Sequence, residues 1–350
     1  MNHPLIQLYH PSLSASRVTA VSEPTRLFTR SDVERLLDVP SCISAVENAF
    51  RLRGNGATSP SAVLGVHVDR GGFHAKAAYL ELGRSYFAVK VNANFPGNPA
   101  AHSLPTIQGV LVLFDATLGV PLAVMDSVAI TALRTAAASA VAANLLAHPG
   151  AETATFIGCG VQARAHVAAI AAVRALRQVY VFDLDMERAS RFAIELRAQY
   201  AFGVTVAPAL RDATRASEII VTTTPATQPF LGADHVSPGA FVAAVGADNE
   251  RKREIELSLL RAAALVVDDT EQCATIGDLH HAIEAGVLTR EDVRATLAEV
   301  VAGSKPGRLR DDEIVVFDST GVAIEDVAAA SIVYERATRE GAGLAIHLRE

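Results

Sequence analysis

Cysteine is scarce in this chain of 350 residues: there are three, Cys42, Cys159 and Cys273. They are scattered without metal-ligand spacing, which argues against a disulfide framework and points to a reducing, cytoplasmic compartment. Basic runs are lacking too. The net charge is −7 and the isoelectric point about 5.9, which argues against a dedicated nucleic-acid binder. No apolar run reaches the roughly 18 residues of a membrane span without polar interruption. The N-terminus has no charged head followed by an apolar stretch, so no signal peptide is expected. No internal repeat stands out. What remains is a globular composition, 50% hydrophobic and 20% charged, of a length that suits two domains and a substantial core.

The chain is organised around residues 154–183. Ala154-Thr-Phe-Ile157 is a short apolar run that reads as a buried strand, and Gly158-Cys159-Gly160-Val161-Gln162-Ala163 follows at once. An alanine-rich segment of helical character comes next, then a second apolar run, 179–182, ending on Asp183. Strand, glycine turn, helix, strand and terminal acid make a dinucleotide-binding βαβ unit of Rossmann type. Gly158 permits the tight turn. Gly160 has no Cβ, so a pyrophosphate can approach the backbone, and the helix then presents free N–H groups to it. Ala163 stands in for the third glycine. Asp183 lies twenty residues further on, where an acid can bind a ribose diol and repel a 2′-phosphate, which favours NAD over NADP. On these residues alone the alternative is a tight turn that binds nothing.

The flanking sequence reads as follows. Residues 1–26 show no period and suggest a loosely held extension. Ser31-Asp32-Val33-Glu34 is a capping box for a first helix, and Pro40 opens a second that stops at Gly54-Asn55-Gly56. Strands are expected over 63–68, 72–80, 86–91, 106–114 and 122–125. Ser127 to Leu146 reads as one buried helix. Further parallel strands fall at 219–222, 241–245, 264–267 and 314–317, with helices at 278–285 and 290–301, the latter started by Thr289. The last helix, 323–339, is expected to return to the first region. The fold class is therefore α/β: a Rossmann domain over 148–321, and an α+β domain made of 1–147 with 322–350.

Three charges sit where charge is costly. Arg134 lies inside the apolar helix, so it requires a partner; its fork suits a substrate carboxylate, and an internal acid is the alternative. Lys90 stands between apolar strand residues, with a period-two surface lysine as the alternative. Asp248 follows the 241–247 run, at the strand edge where ligands bind in open parallel sheets, with a loop or N-cap aspartate as the alternative.

Lys90-Val-Asn-Ala-Asn-Phe-Pro-Gly-Asn98, Leu104-Pro105-Thr106, Ala132-Leu133-Arg134-Thr135-Ala136, Gly158–Ala163, Gly246-Ala247-Asp248 and Phe317-Asp318-Ser319-Thr320-Gly321 occur in this order. Together they closely resemble the ornithine cyclodeaminase/mu-crystallin family. The likeness runs from about residue 29 to 339. The resemblance implies a homodimer in which the first domain's sheets pair, and a small amino-acid or imino-acid substrate. It implies that Lys90 and Arg134 hold the substrate carboxylate and that Asp248 takes a proton from the substrate amine. Thr106, Gly158, Gly160, Val161, Gln162, Asp183, Thr223, Lys252 and Ser319 fall at family cofactor positions. The cyclodeaminases carry one more basic ligand in an early strand. Residues 60–65 have none here, and Lys76 on the neighbouring strand is expected in its place. The implied activity is NAD-dependent hydride transfer at the α-carbon of an amino acid or its imine, as a dehydrogenase or cyclic imine reductase. Ornithine cyclodeamination stays open, as does a non-catalytic ligand-binding protein of mu-crystallin type. The stretches 268–272 and 311–314 resemble the alanine dehydrogenase branch.

Overall fold

Side-chain alternation of period two builds the first sheet. The computed structural model describes residues 23–58 and 61–348, and the proposed extension over 1–22 lies outside them. Six strands come from the first part of the chain: β1 (Thr25–Phe28), β2 (Ala62–Val68), β3 (Gly71–Leu82), β4 (Arg84–Asn94), β5 (Ile107–Asp115) and β6 (Val120–Asp126). Ala78, Leu80, Tyr86, Ala88, Leu111 and Leu113 are buried on one face, while Phe73, Phe87, Val91 and Val110 are exposed on the other. The Ala323–Glu340 helix covers the buried face, packing on β3, β4 and β5. Its Ala328, Ala329 and Ala330 allow close approach.

Uninterrupted apolar strands build the second sheet: β7 (Thr153–Ile157), β8 (Gln178–Phe182), β9 (Gly203–Val206), β10 (Ile219–Thr222), β11 (Phe241–Ala244), β12 (Ala264–Val267), β13 (Ala295–Thr296) and β14 (Val315–Asp318). Every pair is parallel. The order is β13-β12-β14-β11-β10-β7-β8-β9, so the winding reverses between β7 and β10. That is the topological switch point, where a crevice opens beyond the strands' carboxyl ends. A last strand, β15 (Leu344–Ile346), pairs with β1 and completes the first sheet in the order β15-β1-β6-β5-β4-β3-β2.

The Ser127–Leu146 helix joins the two. The Asp126 carboxylate caps it by accepting from the amides of Val128 and Ala129. By length and composition it could cross a membrane, but most of it is buried inside the protein. It packs on the Val39–Gly54 and Val161–Val173 helices and touches β5, β11 and β14. One hydrophobic cluster accordingly runs from Phe28 and Phe50 through this helix to Phe156 and Phe317.

Several sequence expectations need correction. The capping box is two residues earlier than Ser31–Glu34: Thr29 and Asp32 cap each other's backbone at the start of the Arg30–Leu36 helix. Residues 23–26 are not all loose, because β1 begins at Thr25, where two neighbouring strands hold it. The 290–301 helix is broken. Thr289 caps only a 3-10 turn, Arg290–Asp292; β13 then pairs with β12, and Thr296 caps a short helix, Leu297–Val301. The Met186–Gln199 helix, N-capped by Asp185, went unread although its apolar residues Ala189, Phe192, Ala193 and Leu196 follow helical spacing.

The Val39–Gly54 helix ends against the Leu297–Val301 helix. A Cβ on Gly54 would lie 2.2 Å from the Ala298 carbonyl oxygen, a backbone atom that cannot step aside. Gly54→Ala is therefore expected to destabilise the fold by about 1–3 kcal/mol, as overpacking does. The check is the midpoint of urea unfolding, which should fall at unchanged slope.

Candidate functional site

A cavity of about 420 Å³ lies at the switch point, between the inner face of β2–β5 and the loops after β10, β11 and β14. Gly158 turns the chain out of β7 with φ +86°, and a Cβ there would meet the Thr223 carbonyl oxygen at 3.1 Å. Gly160 faces open space and precedes the Val161–Val173 helix, which has no side-chain cap. The first amides of that helix are thus free for an anion. Asp183, at the end of β8, accepts from the Cys159 amide at 2.8 Å and the Asp185 amide at 2.9 Å, and Arg188 lies 3.6 Å away. Five buried polar atoms on cavity-lining residues have no hydrogen-bond partner among the described residues: Gln162 Oε1, Ser319 Oγ, Thr131 Oγ1, Asn94 Oδ1 and Arg134 Nε, the last of which faces a carboxylate. Unpaired polar atoms cost stability unless a ligand satisfies them. An amphipathic molecule with a pyrophosphate fits both the open glycine turn and these atoms.

One end of the cavity is cationic. Lys76 and Lys90 are direct cross-strand partners on β3 and β4, so both point to the same face. Arg134 approaches from the Ser127–Leu146 helix. Lys90 Nζ donates to Asp326 Oδ1 at 2.8 Å; Arg134 Nη1 donates to Glu325 Oε2 at 2.7 Å, and its Nε lies 2.9 Å from Asp326 Oδ1. These two acids therefore balance two of the cations. Lys76 has no carboxylate at ion-pair distance among the described residues; its ammonium donates to the carbonyls of Thr320 and Gly321 at 3.0 and 2.7 Å. Gly321, with φ +76°, lies flat against the guanidinium: a Cβ there would be 2.3 Å from Arg134 Nη1.

Burial acts on each charge. It pushes the Lys90 ammonium down to about 7, helped by neighbouring Arg134 and opposed by Asp326. It lowers Lys76 in the same way, again with Arg134. For Arg134 burial acts downward, but Asp326 and Glu325 outweigh it and hold the guanidinium charged above its ordinary range. Asp326 stays below the usual carboxylate range despite burial, because Arg134 and Lys90 face it.

Of the residues singled out from sequence, Lys76, Lys90, Arg134, Gln162, Thr223, Asp248, Lys252 and Ser319 line this one cavity. Gly158, Gly160, Val161 and Asp183 lie at the glycine turn beside it, while Thr106 lines neither. Asp248 is half-exposed at the cavity rim, ion-paired to Lys252 at 2.8 Å. Sequence reasoning missed Glu325 and Asp326, two adjacent acids inside the apolar run 322–330; that misfit was the available signal. It also missed His67 and His74, which line the β2–β3 side.

Lys90 gives a pH test. With a pKa of about 7 it is largely neutral at pH 8. A bound carboxylate favours the ammonium form and raises that pKa, so binding takes up protons. Calorimetry of the binding of small carboxylates at pH 8, in buffers of different ionisation enthalpy, should show net proton uptake. The uptake should vanish below about pH 6, where Lys90 is already charged, and shrink in Lys90→Met.

The chain is similar over most of its length to several known proteins. Alanine dehydrogenase of Archaeoglobus fulgidus is 38% identical over 319 residues, which cover 91% of this chain and 97% of that protein. An archaeal alanine dehydrogenase dimer solved with bound NAD superposes with a TM-score of 0.89 at 37% identity, over 93% of this chain and 99% of that one. Thermococcus litoralis Δ1-pyrroline-2-carboxylate reductase, solved with NADH and L-proline, gives 0.87 at 34% identity, over 92% and 100%. The sequence profile of the ornithine cyclodeaminase/mu-crystallin family matches residues 23–341, so the glycine turn and the cation cluster both lie inside it, and the chain belongs to that family.

Proposed function

We propose that this chain is an NAD-dependent oxidoreductase acting at the α-carbon of a small amino acid or its imine. The observation that carries this reading is convergence: Lys76, Lys90, Arg134 and Asp248, from two sheets and a helix, line one cavity beside an uncapped glycine turn. Relatives solved with NAD, and with NADH and L-proline, support it.

The residues divide the work. The cations receive the substrate carboxylate, Arg134 through its planar fork. Anchoring one end of the substrate fixes the α-carbon, and such orientation removes up to about 7–11 kcal/mol of barrier in the best cases. Asp248 accepts a proton from the substrate ammonium, because a protonated amine cannot release a hydride, and returns it in the reverse direction. NAD, when bound, supplies the hydride acceptor. Gln162, Thr223, Lys252 and Ser319 would hold it against the cavity, the amides at Gly158, Gly160 and Val161 would receive its pyrophosphate, and Asp183 would accept from the ribose diol. In this reading residues 148–321 carry the nucleotide, and 1–147 with 322–350 carry substrate and dimer contacts.

The partner is a second copy of the chain. The outer face of the first sheet presents Leu64, Val66, Phe73, Phe87, Val91 and Val110 to solvent, a contiguous apolar patch of the kind that marks an interface. The free, buried thiols suit the cytoplasm.

Four measurements test this. L-alanine, L-proline and L-ornithine with NAD, and pyruvate plus ammonia with NADH, should be assayed for absorbance and ammonia together. Turnover with an absorbance change is expected; ammonia release without one would assign cyclodeamination instead, and no turnover at all would favour a binding protein. Asp248→Asn should lose roughly 10²–10⁴-fold in kcat with NADH affinity nearly kept, and full activity would remove Asp248 from the mechanism. Asp183→Ser should shift the NAD/NADP preference toward NADP. By light scattering, Val110→Glu should convert a dimer to a monomer.

A further inference from the structure

Glu254 is fully buried and does not line the cavity, yet four donors converge on its carboxylate. Oε1 accepts from the Thr224 amide at 2.7 Å and the Thr224 hydroxyl at 2.6 Å. Oε2 accepts from the Thr222 hydroxyl at 2.5 Å and the Gly246 amide at 2.8 Å. These donors belong to the carboxyl ends of two different strands and the loops that follow them. Thr222 and Thr224 flank Thr223 at the carboxyl end of β10; Gly246 follows β11 and stands two residues before Asp248. The loops approach so closely that a Cβ on Gly246 would lie 2.4 Å from the Thr224 carbonyl oxygen. Glu254 is itself held in place. Its amide and that of Ile255 both donate to Asp278 Oδ1 at 2.9 Å, and its carbonyl accepts from the amides of Phe230 and Leu231.

We propose that Glu254 is a positioning residue for the reaction, setting Asp248 at a fixed distance from Thr223 and so from the cofactor side of the cavity. The arrangement suits an ionised carboxylate, because each of its oxygens faces a backbone N–H, which cannot accept: Thr224 at Oε1 and Gly246 at Oε2. A carboxamide would turn its NH2 toward one of these two amides, losing that hydrogen bond and setting donor against donor. Stability alone does not explain the residue. β10 and β11 are already paired by their ladder, and a buried charge is costly beside an apolar side chain of similar size. The cost is offset by placement: a shift of about 1 Å at a reacting group can lower the rate roughly 100-fold. This inference rests on the acid–base reading of Asp248.

The test compares Glu254→Gln with the near-isosteric Thr222→Val, which removes one of the four donors. Both are assayed with the panel substrate of highest kcat/KM, and NADH affinity is measured by fluorescence. Glu254→Gln should lower kcat/KM roughly 10- to 100-fold and move the acidic limb of its pH profile, with NADH affinity within about threefold of the parent. Thr222→Val should act in the same direction and less strongly. A merely structural residue would lower only the folded fraction, leaving KM and the pH profile of the folded protein unmoved; that result, or unchanged kcat/KM in Glu254→Gln, overturns the proposal. Should Glu254→Gln fail to fold, an unaltered Thr222→Val overturns it as well. Asp248→Asn separates the two ideas. An active Asp248→Asn defeats the acid–base reading, whereas an inactive one beside a fully active Glu254→Gln defeats only the role of Glu254.

Discussion

Charge burial governs this structure. Lys90 and Arg134 are 3% and 4% exposed, too little for water to solvate them. An uncompensated ion in such a place costs several kcal/mol, so each must meet a carboxylate. Asp326 and Glu325 provide the carboxylates, from the start of the Ala323–Glu340 helix. That helix must then lie across β3 and β4, which requires its facing residues to be small. The close approach of Gly321 to the guanidinium follows from the same requirement, and the Lys76 bonds to Thr320 and Gly321 fix this turn from the other side.

The cavity belongs to neither sheet alone. The first sheet supplies two lysines on adjacent strands, and the second supplies the loops that bear Thr223, Asp248 and Ser319. The Ser127–Leu146 helix touches both and carries the arginine between them. Its alanines have a mechanical role: small side chains bring three helices and two sheets close enough for one guanidinium to reach acids from another element. Shape and charge are thus set by the same segment.

How much of this was readable in advance depended on the range of the interaction. The βαβ unit was legible because its signals are local: Gly158 and Gly160, the apolar runs on either side, and the acid at Asp183. The parallel strands were legible because burial on both faces leaves an unbroken apolar run. The 290–301 segment was not, since β13 exists only by pairing with β12, and helical propensity is overridden there. The acids opposite Arg134 and Lys90 were out of reach for the same reason, being 191 and 236 residues away in sequence. Lys76 sat on the expected face, but the identity of its acceptors, two carbonyls at the end of β14, depends on how the sheets meet. The convergence on Glu254 was invisible, because its donors are ordinary threonine and glycine atoms until the loops are seen together.

The return of β15 to pair with β1 has a consequence for folding. The second sheet is drawn from one continuous stretch, 153–318, whereas the first needs a strand and two counter-ions from residues beyond that stretch. The second sheet can thus be completed from its own segment. Lys90 and Arg134 meet their native anions only once the Ala323–Glu340 helix has docked, and until then they stay hydrated, since burying an unpaired charge is costly.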